Sequence, residues 1–328
     1  MERRARIRAT SRYLPERVMT NADFEKIVET SDEWIFTRTG IKERRVAGEG
    51  EESSTMGAKA AKVALERAGV EAEAVDLILV ATLTPDYIFP STACLVQKEI
   101  GAVNSAALDI QAACSGFVYG MNLAKAYIES GVYRNILFVA TEKLSAITDY
   151  SDRGTCVLFG DGACACLVSA EGPGLAIVDT VLGSDGCQAE ILLQPGGGSR
   201  MPPTLKSVED KEHFIKMDGR EVFKHAVKRM IEACTDVLEK NSLTGADITW
   251  MIPHQANIRI IDAIAKRFDI DPAKVFKTVH KYGNTSASSI GIALDECLEK
   301  FPLKKGERIL MTAFGAGLTW GAGVLEQI

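Results

Sequence analysis

The chain has few aromatic residues, few histidines and no long apolar segment. Aromatic side chains make up 7% of the 328 residues, whereas hydrophobic residues make up 46% and glycine occurs 28 times, which is typical of a closely packed α/β protein and not of disordered or fibrous chains. No stretch has the length and apolarity of a membrane span, and basic residues 1–8 are not followed by an apolar run. We therefore expect a soluble, cytoplasmic protein without a secretory signal.

The charge balance and the cysteine pattern exclude further classes of function. A net charge of −6 argues against nucleic acid as a general partner. Several of the eight cysteines, including Cys156 and Cys297, lie in apolar surroundings, so we expect buried thiols and no disulfide. Cys164 and Cys166 alternate along a strand-like segment without a second cysteine pair or a neighbouring histidine, so we expect core packing there and no metal site.

The predicted elements recur in the same order in two parts of the chain. A helix ending near Ala68 and a buried strand at 76–82 are matched by a helix at 219–240 and a strand at 247–252. The spacing from Asp76 to Cys114 is 38 residues and that from Asp247 to Ser286 is 39. The later predicted elements are strands at 107–110, 135–140, 275–279 and 308–313 and helices that begin at Cys114 and near Thr285. This repetition predicts two related α/β halves.

Two irregular segments interrupt the periodic patterns. The first, at 169–174, contains proline and glycine and predicts the break between the halves, so we assign an N-terminal domain to 1–170 and a C-terminal domain to 171–328. The second, at 194–203, is rich in glycine and proline. Because no lysine and serine or threonine follow it in a strand-to-helix arrangement, we interpret it as a mobile surface loop and not as a phosphate-binding loop.

Cys114 is the strongest candidate for a reactive residue. It stands where a short apolar run ends and a strongly apolar helix begins. Unpaired N–H groups and the helix dipole favour negative charge at such a position, so we expect the thiolate to form more easily than in a free thiol. A buried structural cysteine is the alternative.

His254 and Asn284 are the polar partners that such a sulfur would need. Each follows a predicted strand and precedes a helix, the position at which open α/β sheets carry their sites. A structural histidine and an N-cap or turn asparagine are the alternatives. The glycine-rich turn at 314–321 allows close backbone approach, so an N–H group there and that of Cys114 could bind an oxyanion. Together these residues indicate acyl transfer through a thioester.

Several motifs in order along the chain resemble one family. They are TSDEWIFTRTGI at 30–41, AACSG at 112–116, DRG at 152–154, FGDGA at 159–163, HQAN at 254–257 and GNTSA at 283–287. This set is similar to the β-ketoacyl-acyl carrier protein synthase III family, the initiating condensing enzymes of type II fatty acid synthesis. The resemblance spans almost the whole chain and implies a thiolase-like fold, with two duplicated βαβαβ-type halves packed as a layered αβαβα core.

The resemblance implies a reaction and a set of residues. Cys114 would accept an acyl group from a short acyl-CoA, with acetyl-CoA expected, and His254 and Asn284 would stabilise the enolate formed as malonyl-acyl carrier protein loses CO2. The backbone N–H groups of Cys114 and Ala316 would hold the tetrahedral oxyanions. The product would be a 3-oxoacyl-acyl carrier protein, and neither a metal nor a cofactor is implied.

Further positions are assigned by the same resemblance. The coenzyme A nucleotide would be held by Trp34, Arg38 and Arg153. The acyl pocket would be formed by Leu144, Phe314 and, across a homodimer interface, Phe89. Acyl carrier protein would dock on Lys224, Arg259, Lys266 and Arg267, although solvated helix faces explain these cations equally well.

Other functions remain open on the sequence alone. A relative that makes polyketide, alkylquinolone or long-chain ketone products would carry the same motifs. A catalytically silent scaffold that binds carrier protein is a candidate from another class, although the complete set of Cys114, His254 and Asn284 argues against it. Papain-like hydrolases share the Cys-His-Asn order but lack this chain's duplicated α/β pattern.

Overall fold

The computed structural model describes residues 4–328, and a nine-stranded sheet runs through it. The strands are β1 (Arg6–Tyr13), β2 (Val18–Thr20), β3 (Glu43–Arg45), β4 (Leu77–Ala81), β5 (Ala106–Ile110), β6 (Asn135–Glu142), β7 (Gly162–Ser169), β8 (Leu175–Ser184), β9 (Leu192–Leu193), β10 (Lys216–Met217), β11 (Trp250–Pro253), β12 (Arg308–Gly315) and β13 (Thr319–Gln327). The helices are α1 (Asn21–Phe24), α2 (Asp32–Thr39), α3 (Ser53–Ala68), α4 (Thr92–Ile100), α5 (Gly116–Glu129), α6 (Arg153–Cys156), α7 (Leu205–Glu209), α8 (Gly219–Lys240), α9 (Ile258–Arg267), α10 (Val279–Tyr282) and α11 (Ser288–Lys300).

The sheet contains the same strand order twice. Its order is β11-β12-β13-β8-β1-β7-β6-β4-β5, with β2 and β3 forming one separate pair and β9 and β10 another. In the first half, β4 is parallel to both β5 and β6, and β7 is antiparallel to β6 and β1. In the second half, β11 is parallel to β12, and β13 is antiparallel to β12 and β8. The halves meet where β1 pairs with β8 over two residue pairs.

The helices form three layers around these strands. Helices α3 and α4 pack on the strands of the first half, and α8 packs on those of the second half and against α9. Helices α5 and α11 contact each other and strands of both halves, so they form the central layer. Most residues of α11 are buried, which fits a helix enclosed on several sides. The predicted layered αβαβα thiolase-like fold is confirmed.

Most predicted elements occur close to their expected positions. The helix at 219–240 has the predicted bounds, and the predicted strands at 76–82 and 308–313 correspond to β4 and β12. The predicted strand at 275–279 is wrong, since only Val275 pairs, in a single bridge to Met251. Helix α3 begins at Ser53, and Glu52 occupies its N-cap position.

The proposed domain boundary lies in the turn between β7 and β8. The division at 170/171 stays a prediction, because both halves contribute strands to one sheet and helices to one central layer. Cys164 and Cys166 are buried in β7, and all eight cysteines of the chain are free thiols. None of the helices within residues 4–328 is long and apolar enough to cross a membrane.

Candidate active site

A cavity of about 1200 Å³ lies at the carboxyl ends of the parallel strands. Cys114 follows β5, His254 follows β11, and Asn284 precedes α11. All three side chains line this cavity, which is largely apolar elsewhere. Parallel strands of one sheet point their carboxyl ends toward the same edge, so duplication brings residues that are 140 and 170 positions apart to one place.

The backbone around Cys114 is strained and closely held. Ala113 has a φ of +45°, a conformation that non-glycine residues rarely adopt. The Ser115 hydroxyl donates to the Thr319 carbonyl at 3.0 Å, and the Thr319 hydroxyl donates to the Ala112 carbonyl at 2.9 Å. These two bonds fix the turn that carries the sulfur against the turn between β12 and β13.

Burial decides the protonation state of Cys114. Desolvation raises the pKa of the Cys114 thiol to about 12, and the charge of Glu142 raises it further, while hydrogen bonding from Ser286 acts in the opposite direction. Burial therefore opposes the easily ionised thiol that the helix start predicts. The start of a helix favours a thiolate, but removal of water around the sulfur costs more.

His254 is held as a neutral hydrogen-bond donor. Burial lowers its pKa to about 4. Its backbone N–H donates to the Thr312 carbonyl at 2.8 Å, and its Nδ1 lies 2.6 Å from Ser289 Oγ. Because Ser289 Oγ also accepts the N–H of Gln255 at 3.3 Å, its own proton is free to be donated to Nδ1. We therefore assign the remaining ring proton to Nε2 of His254, a residue that lines the cavity.

Asn284 combines a turn role with a free amide. Its Oδ1 accepts the backbone N–H of Ser286 at 2.8 Å, and its own N–H donates to the Leu158 carbonyl at 2.9 Å. The interpretation as a turn residue is thus correct for the side-chain oxygen. Since that oxygen is occupied, the Nδ2 donors are the part of the carboxamide available to a ligand in the cavity.

Gly315 allows the two turns that carry the predicted oxyanion donors to pack closely. A Cβ atom on Gly315 would approach the backbone nitrogens of Cys114 and Ser115 to 2.7 and 3.0 Å. Only glycine allows this approach, which brings the next residue, Ala316, to the cavity wall near Cys114. The geometry is compatible with two converging N–H groups, and their role stays a prediction.

The predicted coenzyme A residues form a single cluster outside the cavity lining. The guanidinium carbons of Arg38 and Arg153 lie 4.5 and 4.8 Å from the centre of the Trp34 ring. Asn257, which lines the cavity, donates to the Arg38 carbonyl at 3.0 Å. The cluster is therefore adjacent to the cavity rim. Both arginines are exposed.

The predicted acyl-pocket residues occupy two different places. Leu144 and Phe314 are buried and line the cavity. Phe89 is 84% exposed and does not line the cavity of its own chain. It lies on the loop after β4, next to the exposed side chains of Tyr87 and Ile88.

The predicted docking cations are exposed on α8 and α9. Lys224 pairs with Glu221 at 3.4 Å, whereas Arg259, Lys266 and Arg267 form no ion pair with the described residues. The two helices pack together, and the Arg259 guanidinium lies over Phe223, which lines the cavity. These cations are available to a partner near the cavity.

Sequence reasoning missed several contributors to the site. Glu142 ends the apolar strand β6 and is fully buried near Cys114. A lone acidic residue at the carboxyl end of a buried strand is a signal that would have identified it. The segment at 194–203 is predicted to be a mobile surface loop, but Gln194 and Gly196 to Gly198 line the cavity. Within residues 4–328, no cluster of three or more histidine, cysteine or acidic side chains is arranged to hold a metal ion.

Comparison with protein families matches two parts of the chain. Residues 108–186 match the family described as 3-oxoacyl-(acyl-carrier-protein) synthase III, and residues 238–327 match the family described as the C-terminal part of that synthase. The first match contains Cys114, and the second contains His254 and Asn284.

Individual relatives cover nearly the full chain. A β-ketoacyl-(acyl-carrier-protein) synthase III from Chlamydia caviae is 54% identical over 99% of this chain and 98% of its own length. A solved 3-oxoacyl-(acyl-carrier-protein) synthase III from Aquifex aeolicus superposes with a TM-score of 0.91 at 48% identity, covering 98% of this chain and 99% of that one. A priming β-ketosynthase of a polyketide biosynthetic pathway also has a TM-score of 0.91, at 34% identity, covering 99% of this chain and 97% of that one.

Proposed function

The chain belongs to the 3-oxoacyl-(acyl-carrier-protein) synthase III family, and we propose from this that it condenses acetyl-CoA with malonyl-acyl carrier protein through an acyl-Cys114 intermediate. The protein is an acyltransferase-type condensing enzyme of fatty acid biosynthesis. The products are 3-oxoacyl-acyl carrier protein, CO2 and coenzyme A, and the reaction initiates chain synthesis.

One observation carries the proposal. A thiol, a neutral imidazole with Nε2–H free and a carboxamide with Nδ2–H free face one largely apolar cavity. In a desolvated cavity, hydrogen bonds to a developing negative charge are stronger than in water. A silent scaffold would have no need to keep two such donors unpaired beside a thiol.

The first half-reaction loads the enzyme. The Cys114 sulfur attacks the thioester carbon of the acyl-CoA, and the carbonyl oxygen becomes an oxyanion that the N–H groups of Cys114 and Ala316 stabilise. Collapse of this intermediate expels the coenzyme A sulfur. Trp34, Arg38 and Arg153 hold the nucleotide, since a purine can stack on an indole face and on guanidinium planes.

The second half-reaction forms the carbon–carbon bond. Malonyl-acyl carrier protein replaces coenzyme A, and as CO2 leaves, His254 Nε2–H and Asn284 Nδ2–H stabilise the enolate oxygen. The carbanion then attacks the acyl carbon on Cys114. Because both donors are neutral, they stabilise the enolate without giving it a proton. Neither a metal ion nor an organic cofactor has a role in this sequence.

The remaining partners follow from surfaces of the chain. Acyl carrier protein, an acidic partner, docks on the cations of α8 and α9, namely Lys224, Arg259, Lys266 and Arg267. A second copy of the chain covers the exposed loop that carries Phe89, and the homodimer places that side chain in the neighbouring acyl pocket. Leu144 and Phe314 form the rest of that pocket. We place the enzyme in the cytoplasm.

The central test is covalent loading of one cysteine. Incubation with acetyl-CoA, followed by intact-mass measurement and peptide mapping, is expected to show one acetyl group on Cys114. Cys114→Ala is expected to show none. Cys187→Ala, which removes an exposed thiol, is the matched control and is expected to load normally. A wild-type protein that stays unmodified would support the silent scaffold instead.

The two half-reactions separate the roles of the three residues. His254→Ala and Asn284→Ala are expected to accept the acetyl group but to lose malonyl decarboxylation by about 10²-fold or more, since each removes one donor from the enolate. Release of CO2 from malonyl-acyl carrier protein measures the second step. Equal loss of loading and decarboxylation in both variants would contradict the assigned roles.

A further inference from the structure

Glu142 is a buried carboxyl group with one oxygen unused. It is 0% exposed at the end of β6. Its Oε2 accepts the N–H of Leu83 at 3.1 Å and the hydroxyl of Thr84 at 2.9 Å. Its Oε1 has no regular hydrogen bond within residues 4–328. A buried carboxyl oxygen without a partner is costly, so its retention beside a reactive thiol points to a functional role.

Ser286 connects this carboxyl group to the thiol. Its backbone has a φ of +49°, which is strained for serine, and its side chain lines the cavity. Its hydroxyl also has no regular hydrogen bond among the described residues. It is nevertheless close enough to both groups to favour the ionised forms of Cys114 and Glu142. Joining the sulfur to Oε1 through this hydroxyl requires a shift of the Ser286 side chain, because Oγ and Oε1 each lack a hydrogen bond among the described residues.

Loading of Cys114 needs a group that takes the thiol proton. His254 is poorly suited, because its Nδ1 is engaged by Ser289 and burial lowers its pKa to about 4. Desolvation raises the pKa of Glu142 to about 7. A base is most effective when its pKa lies near the working pH, so Glu142 can both accept and return a proton.

We propose that Ser286 relays the thiol proton of Cys114 to Glu142 during acyl loading. As the sulfur–carbon bond forms, the electron pair of the carbonyl bond moves onto oxygen, the thiol proton passes to Ser286 Oγ, and the Ser286 proton passes to Glu142 Oε1. When the carbonyl re-forms and the bond to coenzyme A breaks, the leaving sulfur takes the proton back along the same path. No free thiolate accumulates. The inference rests on the proposed acyl-Cys114 function.

The surroundings of Glu142 isolate this relay from other charges. The loop after β4 contributes Thr82, Leu83 and Thr84, and the segment before α11 contributes Ser286 and the Ala287 N–H. Cys114 is the titratable group that faces it from the start of α5. The adjacent Lys143 is directed to the Gly48 carbonyl instead.

The test compares Glu142→Gln, Ser286→Ala and the double variant in single-turnover loading by acetyl-CoA, measured by quenched-flow intact mass. Each single variant is expected to load about 10²-fold more slowly than the wild type. The double variant is expected to load at the rate of the slower single variant, because Glu142 and Ser286 act on one proton path. Glu129→Gln, at the far end of α5, is the matched control and is expected to load at the wild-type rate.

The pH profile distinguishes a relay from a structural role. The wild-type loading rate is expected to level off above about pH 7, whereas the Glu142→Gln rate is expected to keep rising with pH toward the range of the thiol itself. A profile of unchanged shape in a folded Glu142→Gln protein would overturn the proposal, as would wild-type loading rates in both single variants. Ser286→Ala provides the test if Glu142→Gln does not fold.

Alkylation of Cys114 by iodoacetamide separates this inference from the proposed function. It reports proton removal from the thiol and does not require acyl-CoA chemistry. Slower alkylation in Glu142→Gln and Ser286→Ala, relative to Glu129→Gln, supports the relay even if acetyl-CoA fails to load the wild type. Equal alkylation rates in a wild type that loads normally would overturn the relay and leave the proposed function intact.

Discussion

At the scale of single residues, burial sets the charge of the site. It raises the pKa of Cys114 and Glu142 and lowers that of His254, and desolvation is the largest cause for each. All three shifts favour the neutral form. These three groups therefore add little fixed charge before substrate enters, and the negative charge that develops on substrate oxygen meets buried donors.

The pKa of Glu142 predicts a pH dependence of stability. The pKa of Glu142 is about 7 in the folded state, above its ordinary value of 4.5, so the folded state binds the proton more tightly than the unfolded state. The resulting stabilisation is fully present below about pH 4.5 and is lost as pH rises through 7. The stability of wild type relative to Glu142→Gln should therefore fall between about pH 5 and 8. Urea unfolding at both pH values measures this difference. A constant difference would contradict the raised pKa, and Glu129→Gln serves as the control.

At the scale of elements, two segments converge on the turn that carries the sulfur. The turn between β12 and β13 packs against the Cys114 turn at Gly315, and the segment before α11 contributes Asn284 and Ser286. The start of α5 is also tightly packed, since a Cβ on Gly116 would lie 3.0 and 3.1 Å from the Cβ atoms of Ala81 and Ala287. Small residues at these contacts are what allow the elements to approach.

Replacement of Gly315 should disturb both half-reactions together. In Gly315→Ala the added methyl would lie 2.7 Å from the Cys114 nitrogen, so one of the two turns must move. We expect a loss of about 1–3 kcal/mol in the free energy of unfolding and a loss of at least about 10-fold in acetyl loading. Gly186→Ala, where nothing lies within 4 Å of the new Cβ, is the matched control. Normal loading by Gly315→Ala would show that this contact does not position the site.

The free cations of α9 should affect one substrate and not the other. Lys266→Glu and Arg267→Glu are expected to raise the KM for malonyl-acyl carrier protein by about 10-fold at low salt, because charge steers the association of an acidic partner. The effect should shrink at high salt. Loading by acetyl-CoA should not change. Lys305→Glu makes the same charge change in the turn before β12, and an equal rise in its KM would indicate net charge and not a docking site.

At the scale of the whole molecule, one edge of the sheet carries exposed apolar groups. Tyr87, Ile88 and Phe89 are 60%, 85% and 84% exposed, and β5 is an edge strand of the sheet. Exposed apolar loops and unpaired strand edges favour association. Association of two chains through this edge would cover both features at once.

A dimer formed through this edge would link association to primer preference. We expect both the wild-type protein and Phe89→Ala to sediment as dimers. Because removal of the Phe89 ring enlarges the pocket, we expect the ratio of activity with hexanoyl-CoA to activity with acetyl-CoA to rise by about 10-fold in Phe89→Ala. A panel of acyl-CoA primers with malonyl-acyl carrier protein measures the ratio. Val132→Ala, at another exposed apolar position, is the control. A monomer, or an unchanged ratio in Phe89→Ala, would contradict this assignment.

Local sequence patterns are sufficient to predict the order of most elements, the duplicated fold and the family. Helix α8 and strands β4 and β12 follow from local hydrophobic periodicity and from glycine and proline signals, which depend on neighbouring residues only. The motifs around Cys114, His254 and Asn284 identified the candidate site because their residue types limit the possible chemistry.

The behaviour of those groups depends on long-range packing. The failure of the 275–279 strand, the high pKa of Cys114 and the positions of Glu142, Ser286 and Ser289 depend on atoms that are distant in sequence and are brought together by packing. Desolvation is a property of a three-dimensional enclosure, and a local pattern does not contain it. For this reason the helix start predicts a reactive thiolate, whereas burial in the cavity raises the pKa of the same thiol.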